Sequence, residues 1–249
     1  MELMKYGYNL GIYRQTGLCI TIEHALHTHC HALITGASGS GKSYALCYLL
    51  GMLLKCSPEI KLWFCDFKNS DEFDFLKEYP YYYAGNDCYD GIMQYYQTFC
   101  HARETGNAAT RHILICDEYP ALVNYLEMQD KANKTKKASE IMAAIYEILC
   151  LGRGIGFGAW ICTQRADSTL FKNGCRDNFM IVIALGNLSR EQKGMVCRGE
   201  DIPDEIYKIG EGILLADGQP VTEVKYPRIQ DIQDWKMHIL EILLHQRHS

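Results

Sequence analysis

Gly36-Ala37-Ser38-Gly39-Ser40-Gly41-Lys42-Ser43 satisfies G-x-x-x-x-G-K-[S/T] at every fixed position. Glycines in such a loop let the backbone curl until successive amide N–H groups face a phosphate chain, and the dipole of a following helix adds to the attraction. Lys42 then reaches the β- and γ-phosphates, the Ser43 hydroxyl helps to hold Mg²⁺, and the first helical residues through Tyr44 complete the nucleotide-binding segment. A second chemical group lies about 75 residues on, where Ile113-Leu114-Ile115-Cys116 runs into Asp117-Glu118. An apolar strand that delivers two acids to one sheet edge is a Walker B arrangement. Asp117 would hold Mg²⁺ through its water shell, and Glu118 would orient and deprotonate an attacking water. Acids at a strand end also serve as helix caps; the upstream loop is what gives this pair its chemical reading. Further on, Gln164 follows a third apolar run and is placed to sense a γ-phosphate. Arg153, between Gly152 and Gly154, sits in a loop exposed enough to reach a neighbouring subunit as an arginine finger. A solvated arginine in a turn is the alternative.

These residues need elements to carry them. Residues 30–35 (CHALIT) read as a short buried strand before the loop, and residues 43–55 are long and apolar enough for the helix after it. Residues 60–67 form a second core strand, 81–84 a short edge strand, 90–104 a helix and 111–116 the acid-bearing strand. A lysine-rich polar segment at 130–139 precedes a helix over 140–151. Strands are expected again at 159–163, 179–184, 212–216 and 221–226, and a last helix at 231–244 puts Trp235, Ile239, Leu240, Leu243 and Leu244 on one face. At the amino end, 8–14 and 18–23 are strand-like about Gln15-Thr16-Gly17, which predicts a β-hairpin beside the nucleotide core. Strands alternating with helices imply an α/β architecture with a mainly parallel sheet and helices on both faces.

The chain has 249 residues, 48% hydrophobic and 22% charged, the composition of a globular protein with a sizeable core. No repeat, Pro-rich linker or low-complexity tract divides it, so a single domain over 1–249 is expected: a hairpin region at 1–30, a core at 31–230 and a terminal helix at 231–249. With 25 basic and 30 acidic side chains the net charge is −5, which excludes a broadly basic surface. Any nucleic acid must be gripped by local loops. Twelve cysteines form no C-x-x-C pair and many lie in apolar runs such as ILIC and WIC, where a thiol behaves as a small hydrophobe. A reducing, cytoplasmic setting is the expectation. Neither a signal peptide nor a run of ~20 apolar residues is present, so a direct membrane span is not expected.

Several stretches together resemble the motor domain of the FtsK/SpoIIIE/HerA family of DNA translocases: LGIYRQTGLCITIEHALHTHCHALITGASGSGKS, WFCDFKNSDEF, ILICDEYPALV, LGRGIGFGAWICTQRAD, CRDNFMIVIALGNLS and IGEGILLADGQPVTEVKYPRI. They occur in the family's order over residues 9–230, and the combination of DEY, GRGxG and TQR is far more specific than the phosphate loop alone. The resemblance implies a RecA-like P-loop NTPase core of the ASCE type, ATP hydrolysis at subunit interfaces, a hexameric ring, and double-stranded DNA through its centre. It resembles a short form of the kind found on plasmids, phages and other mobile elements, without room for the membrane spans or winged-helix module of larger members. A membrane-bound or relaxosome-type protein partner would then supply anchoring or specificity.

Lesser features carry two readings each. Asp66 and Lys68 match the family's Asp-x-Lys strand end, supporting either the pocket and its interface or a surface ion pair. Lys131, Lys134, Lys136 and Lys137 could touch DNA phosphates or form a solvated loop; Arg176 and Arg190 are similar candidates. His24, His27, His29, Cys30 and His31 invite a metal, but no second cluster completes a four-ligand shell, and strand packing is favoured. Residues 79–83 could stack bases, although a tyrosine-rich edge strand accounts for them. A second functional class also fits: a secretion or coupling-type ATPase that handles a protein substrate.

Overall fold

A computed structural model describes residues 2–106, 110–165, 175–197, 199–203 and 205–246. The chain opens with β1 (Leu3–Asn9), α1 (Leu10–Thr16) and β2 (Thr21–Ala25), then β3 (Ala32–Gly36), the glycine-rich loop and α2 (Lys42–Cys56). There follow β4 (Lys61–Asp66), β5 (Tyr82–Ala84), α3 (Cys88–Thr105), β6 (His112–Asp117), the helices α4 (Tyr119–Asn133) and α5 (Lys137–Leu151), and β7 (Phe157–Thr163). The last part holds β8 (Ile181–Leu185), α6 (Arg190–Val196), β9 (Glu211–Ala216), β10 (Thr222–Lys225) and α7 (Ile232–His245). All ten strands join one sheet in the order β2-β1-β10-β9-β8-β3-β7-β6-β4-β5.

From β8 to β5 every pairing is parallel, whereas β9, β10, β1 and β2 extend the sheet by antiparallel pairing. The parallel part is covered on both faces, as its near-continuous apolar strands require. Side chains alternate between those faces. Ile34, Phe64 and Ile115 meet Leu46, Leu50 and Leu53 of α2, with α7 behind them. Leu33, Trp63 and Leu114 meet Tyr95 and Phe99 of α3 and Ile145 and Ile148 of α5.

Two expectations are corrected. The hairpin strands are 3–9 and 21–25, paired Leu3↔Ala25 and Lys5↔Glu23, and α1 occupies the stretch read as a strand and turn. Local chemistry makes the helix: the Asn9 carboxamide accepts from the Ile12 N–H at 2.9 Å, and Gly17 closes it at φ 75°, a left-handed conformation natural to glycine. The polar segment 130–139 is the end of one helix and the start of the next, with a tight turn at 134–136 between them. Asp130, in the last turn of α4, accepts from the Lys137 and Ala138 N–H groups and so caps α5, which begins three residues earlier than expected.

Candidate functional site

The glycine-rich loop leaves the carboxyl end of β3, where β8 lies on one side and β7 on the other. Ligands of open α/β sheets settle at this kind of crevice. Loop geometry leaves no spare room: a Cβ on Gly36 would stand 2.5 Å from the Ser40 hydroxyl, and one on Gly41 2.9 Å from the Gly210 nitrogen, with Gly41 at φ 91°. Only glycine fits there. The loop is fixed from outside by the Gly210 N–H, which donates to the Ser40 carbonyl at 2.9 Å.

A cavity of about 450 Å³ opens over this loop, lined by Ala37, Ser38, Gly39, Gly41, Lys42, Ser43 and Tyr44, with Asp117, Glu118 and Gln164 facing them. Gly36 and Ser40 lie beneath it and shape it. β7 runs between β3 and β6, and so Gln164, one residue past its end, stands between the phosphate loop and the acids as the sequence predicts. Lys42 Nζ is 2.6 Å from Asp117 Oδ1 and 2.8 Å from Glu118 Oε1, and all three side chains are buried. Burial pulls the Lys42 ammonium toward neutrality, but the Asp117 charge and the hydrogen bonds outweigh it and hold its pKa above the ordinary lysine range.

Glu118 has φ 55°, ψ 41°, a left-handed conformation costly for a non-glycine residue. It occupies the N-cap of α4 yet caps nothing with its side chain, which turns to Lys42 and Lys68 instead. Of the Asp-x-Lys pair, Lys68 lines the cavity, and Asp66 lies behind it. Asp66, fully buried, lies directly across from Asp117 in the β4–β6 register and accepts from the Ser70 N–H at 2.8 Å and the Tyr82 hydroxyl at 3.2 Å. Burial raises its carboxyl pKa, against those hydrogen bonds. Lys68 Nζ reaches Glu118 Oε1 at 3.2 Å.

The donor set suits a nucleotide with Mg²⁺: a loop of amides, a buried ammonium, the Ser43 hydroxyl and one carboxylate, leaving other positions to phosphate and water. The buried hydroxyls of Ser40 and Thr35 have no hydrogen-bond partner, which marks polar capacity around the cradle.

Arg153 lies elsewhere. It precedes the amino end of β7, at the opposite sheet edge from the cradle, and is exposed, lining a separate hollow with Glu2, Glu59 and Arg111. Lys131, Lys134, Lys136 and Lys137 are exposed at the α4–α5 turn. The Lys137 ammonium lies 4.5 Å from the centre of the Tyr89 ring at the start of α3, placing this turn on the nucleotide edge of the sheet. Arg176 donates to the Met195 carbonyl at 2.7 Å, and Arg190 is exposed. Tyr79 and Tyr82 spend their hydroxyls on Leu62 and Asp66, and Tyr81 packs on Trp63, the edge-strand account. Among the described residues no group of three or more His, Cys, Asp or Glu could hold a metal ion. His31 is fully buried and accepts from the Ala159 N–H through Nδ1 at 3.1 Å.

Ile209, Ile232 and Lys236 also line the cavity, and no sequence signal marked them. They arrive from the β9 approach and from α7. That helix is tied to α2 by the Trp235 indole, which donates to the Cys47 carbonyl at 3.1 Å, and the segment leading into it is held by Tyr44, whose hydroxyl donates to the Pro227 carbonyl at 3.2 Å.

Fold and site together define a P-loop NTPase domain of RecA-like type. No protein-family model matches the chain. It is 24% identical over 185 residues to the FtsK domain-containing protein YdcQ of Bacillus subtilis, covering 67% of this chain and 36% of that one. The chain therefore spans about a third of that curated relative. In structure it is similar to the monomer form of the pCW3 conjugation coupling protein TcpA with ATPγS (TM-score 0.71, 19% identity, 97% of this chain and 70% of that one). It is equally similar to the cytoplasmic domain of the type VII secretion ATPase EccC of Thermomonospora curvata (TM-score 0.70, 18% identity, 96% and 31%). The chain is FtsK/HerA-like in both sequence and fold.

Proposed function

We propose that this chain is an ATP-hydrolysing motor domain that moves double-stranded DNA, working as a ring-shaped oligomer, a hexamer on the family resemblance, in the cytoplasm. The observation that carries this reading is the convergence of Lys42, Asp117, Glu118 and Gln164 on one cavity while Arg153 stands exposed at the far sheet edge. Such a split suits a site finished by a neighbour. The 1–249 chain would act as one nucleotide-binding unit.

Lys42 and the loop amides would bind the phosphates, Lys42 exchanging its carboxylate partners for phosphate oxygens. Ser43 and Asp117 would hold Mg²⁺, which when bound neutralises phosphate charge. Glu118, relieved of Lys42, would take a proton from the attacking water, and Gln164 would align that water with the γ-phosphate. Arg153 of an adjacent subunit would stabilise the developing charge. Exposed lysines at the α4–α5 turn offer local contacts to DNA phosphates, as a net charge of −5 requires. Among the described residues no helix is long and apolar enough to cross a membrane. A membrane or relaxosome-type protein partner would supply anchoring or specificity.

The deciding experiment is ATP turnover with and without linear duplex DNA over a range of salt, beside size analysis in ATP. Stimulation that fades as salt rises, with ATP-dependent assembly, supports the motor. The fold likeness to a secretion ATPase sustains a second reading, a coupling component that handles a protein substrate. A turnover rate indifferent to DNA at every salt, together with recovery of a bound substrate protein, would select it.

A further inference from the structure

Glu118 is held by two ammonium groups, and only one of them has a known reason to leave. Lys42 has the phosphates to go to. Lys68 does not line up with the loop; it lies beyond the end of β4, its side chain 42% exposed at the rim, with Nζ 3.2 Å from the same Glu118 Oε1 that Lys42 touches. Its reach is built in. The Asn69 N–H donates to the Asp66 carbonyl at 3.2 Å, Asn69 itself is at φ 51°, and the buried Asp66 carboxylate accepts from the Ser70 N–H at 2.8 Å. A turn pinned by a buried acid thus presents Lys68 to Glu118. The partner is fixed as well, because Glu118 is locked in its left-handed backbone and is 6% exposed.

We propose that Lys68 is a positioning residue that restrains Glu118, so that hydrolysis accelerates when Lys68 is drawn off. The Lys68 ammonium, 3.2 Å from Glu118 Oε1, draws the carboxylate toward the rim and away from an attacking water. Nucleotide binding removes Lys42 from the pair but leaves Lys68, so the site can be loaded and still slow. Lys68 is at the rim, where an incoming anionic group can compete for it while Asp66 stays in place. The two halves of the Asp-x-Lys motif then have separate tasks: Asp66 builds the turn and Lys68 holds the base. This inference rests on the ATPase reading.

The test compares Lys68→Met and Lys68→Arg with the parent chain, measuring kcat and KM for ATP with and without duplex DNA, and affinity for a fluorescent ATP analogue. Lys68→Met keeps the stem and removes the charge. The expected result is a DNA-free kcat roughly two- to fivefold higher, the order of one partly exposed ion pair, with KM and analogue affinity unchanged. Stimulation by DNA should shrink by the same factor, and Lys68→Arg should restore the slow basal rate. A fall in kcat for Lys68→Met, a change confined to KM, or no change would overturn the restraint. Thermal unfolding separates a misfolded variant from an uninhibited one. If the parent hydrolyses no ATP at all, the ATPase reading fails and this inference falls with it; parental turnover with an indifferent Lys68→Met sinks the inference alone.

Discussion

Gly51 and Trp235 are in direct contact: a Cβ on Gly51 would stand 2.3 Å from Cζ2 of the indole. The same indole stacks over Tyr48 and lies under the Lys55 ammonium, so α7 is seated on α2 through one ring. Gly51→Ala must displace that ring, and an overpacked contact of this kind costs about 1–3 kcal/mol. Because α7 also brings Ile232 and Lys236 to the cavity, nucleotide affinity should fall along with the denaturant midpoint. In a double-mutant cycle, Gly51→Ala should cost little once Trp235→Ala has made room. Additive losses would show that the ring and the glycine are not coupled.

Lys42 pairs with two buried carboxylates before any nucleotide arrives. Lys42→Ala strands Asp117 without a counter-charge, and breaking a buried pair from one side costs about 3–5 kcal/mol. The variant should therefore melt below the parent even without ATP, and gain nothing when ATP and Mg²⁺ are added, whereas the parent should gain by ligand linkage. Calorimetry with and without nucleotide reads both effects. Equal melting of the two ligand-free proteins would contradict the ion pair.

Glu118→Gln keeps the shape of the side chain and removes the base. Turnover should drop by about 10²–10⁴, the range for a lost general base, while nucleotide affinity holds. Single-turnover measurements on preloaded protein give the chemical step directly. A Glu118→Gln variant that hydrolyses at the parental rate would remove Glu118 from the chemistry.

The cradle and its acids were legible in the sequence because each is a local pattern: an apolar run, then glycines or carboxylates, at the edge where the run stops. Local chemistry also explains the miss at residues 10–16, where Asn9 and Gly17 write a helix into a segment whose apolar alternation reads as strand. α4 was missed, although Tyr119, Leu122, Val123 and Leu126 fall at helical spacing, because the strand end before it and the lysines beyond it drew the reading to a polar loop. What could not be read was non-local. Lys68 faces Glu118 only because β4 lies beside β6 in register, and Lys236 enters the cavity only because Trp235 finds Gly51 on α2.

His31 ties stability to pH. It is buried with Nδ1 accepting from the Ala159 N–H, and burial, aided by the Arg153 charge, pushes its pKa down from 6.5 to about 4. His112 is lowered to about 4 by burial and the Lys61 charge. With the folded value below the unfolded one, the unfolded chain takes up the proton first as pH falls. The stabilisation is whole above pH 6.5 and drains away toward pH 4, by about 3 kcal/mol per fully buried histidine. His31→Gln retains an acceptor for Ala159 and does not titrate. Its unfolding free energy should lose part of the parental slope over that window. An unchanged slope would mean that His31 is not held neutral.

Arg153 and Gln164 flank opposite ends of the same seven-residue strand, β7. At ~3.3 Å per residue that puts roughly 20 Å between them, too far for Arg153 to reach the phosphates bound by its own loop. If it acts, it acts on a neighbour's site, and complementation can show this. A chain with Arg153→Ala has a sound cradle but offers no arginine; a chain with Lys42→Ala offers the arginine but has no working cradle. Each should be inactive alone, with losses of about 10³-fold or more for the missing arginine. Mixed one to one in a ring with head-to-tail contacts, about a quarter of the interfaces would pair a sound cradle with an intact arginine, and activity should return to a corresponding fraction of the parental rate. Mixing either variant with parental chains should instead depress turnover. Silence from a mixture shown by size analysis to form joint rings, or full activity from Arg153→Ala alone, would rule out the contribution across subunits and leave Arg153 as a solvated charge at the amino edge of the sheet.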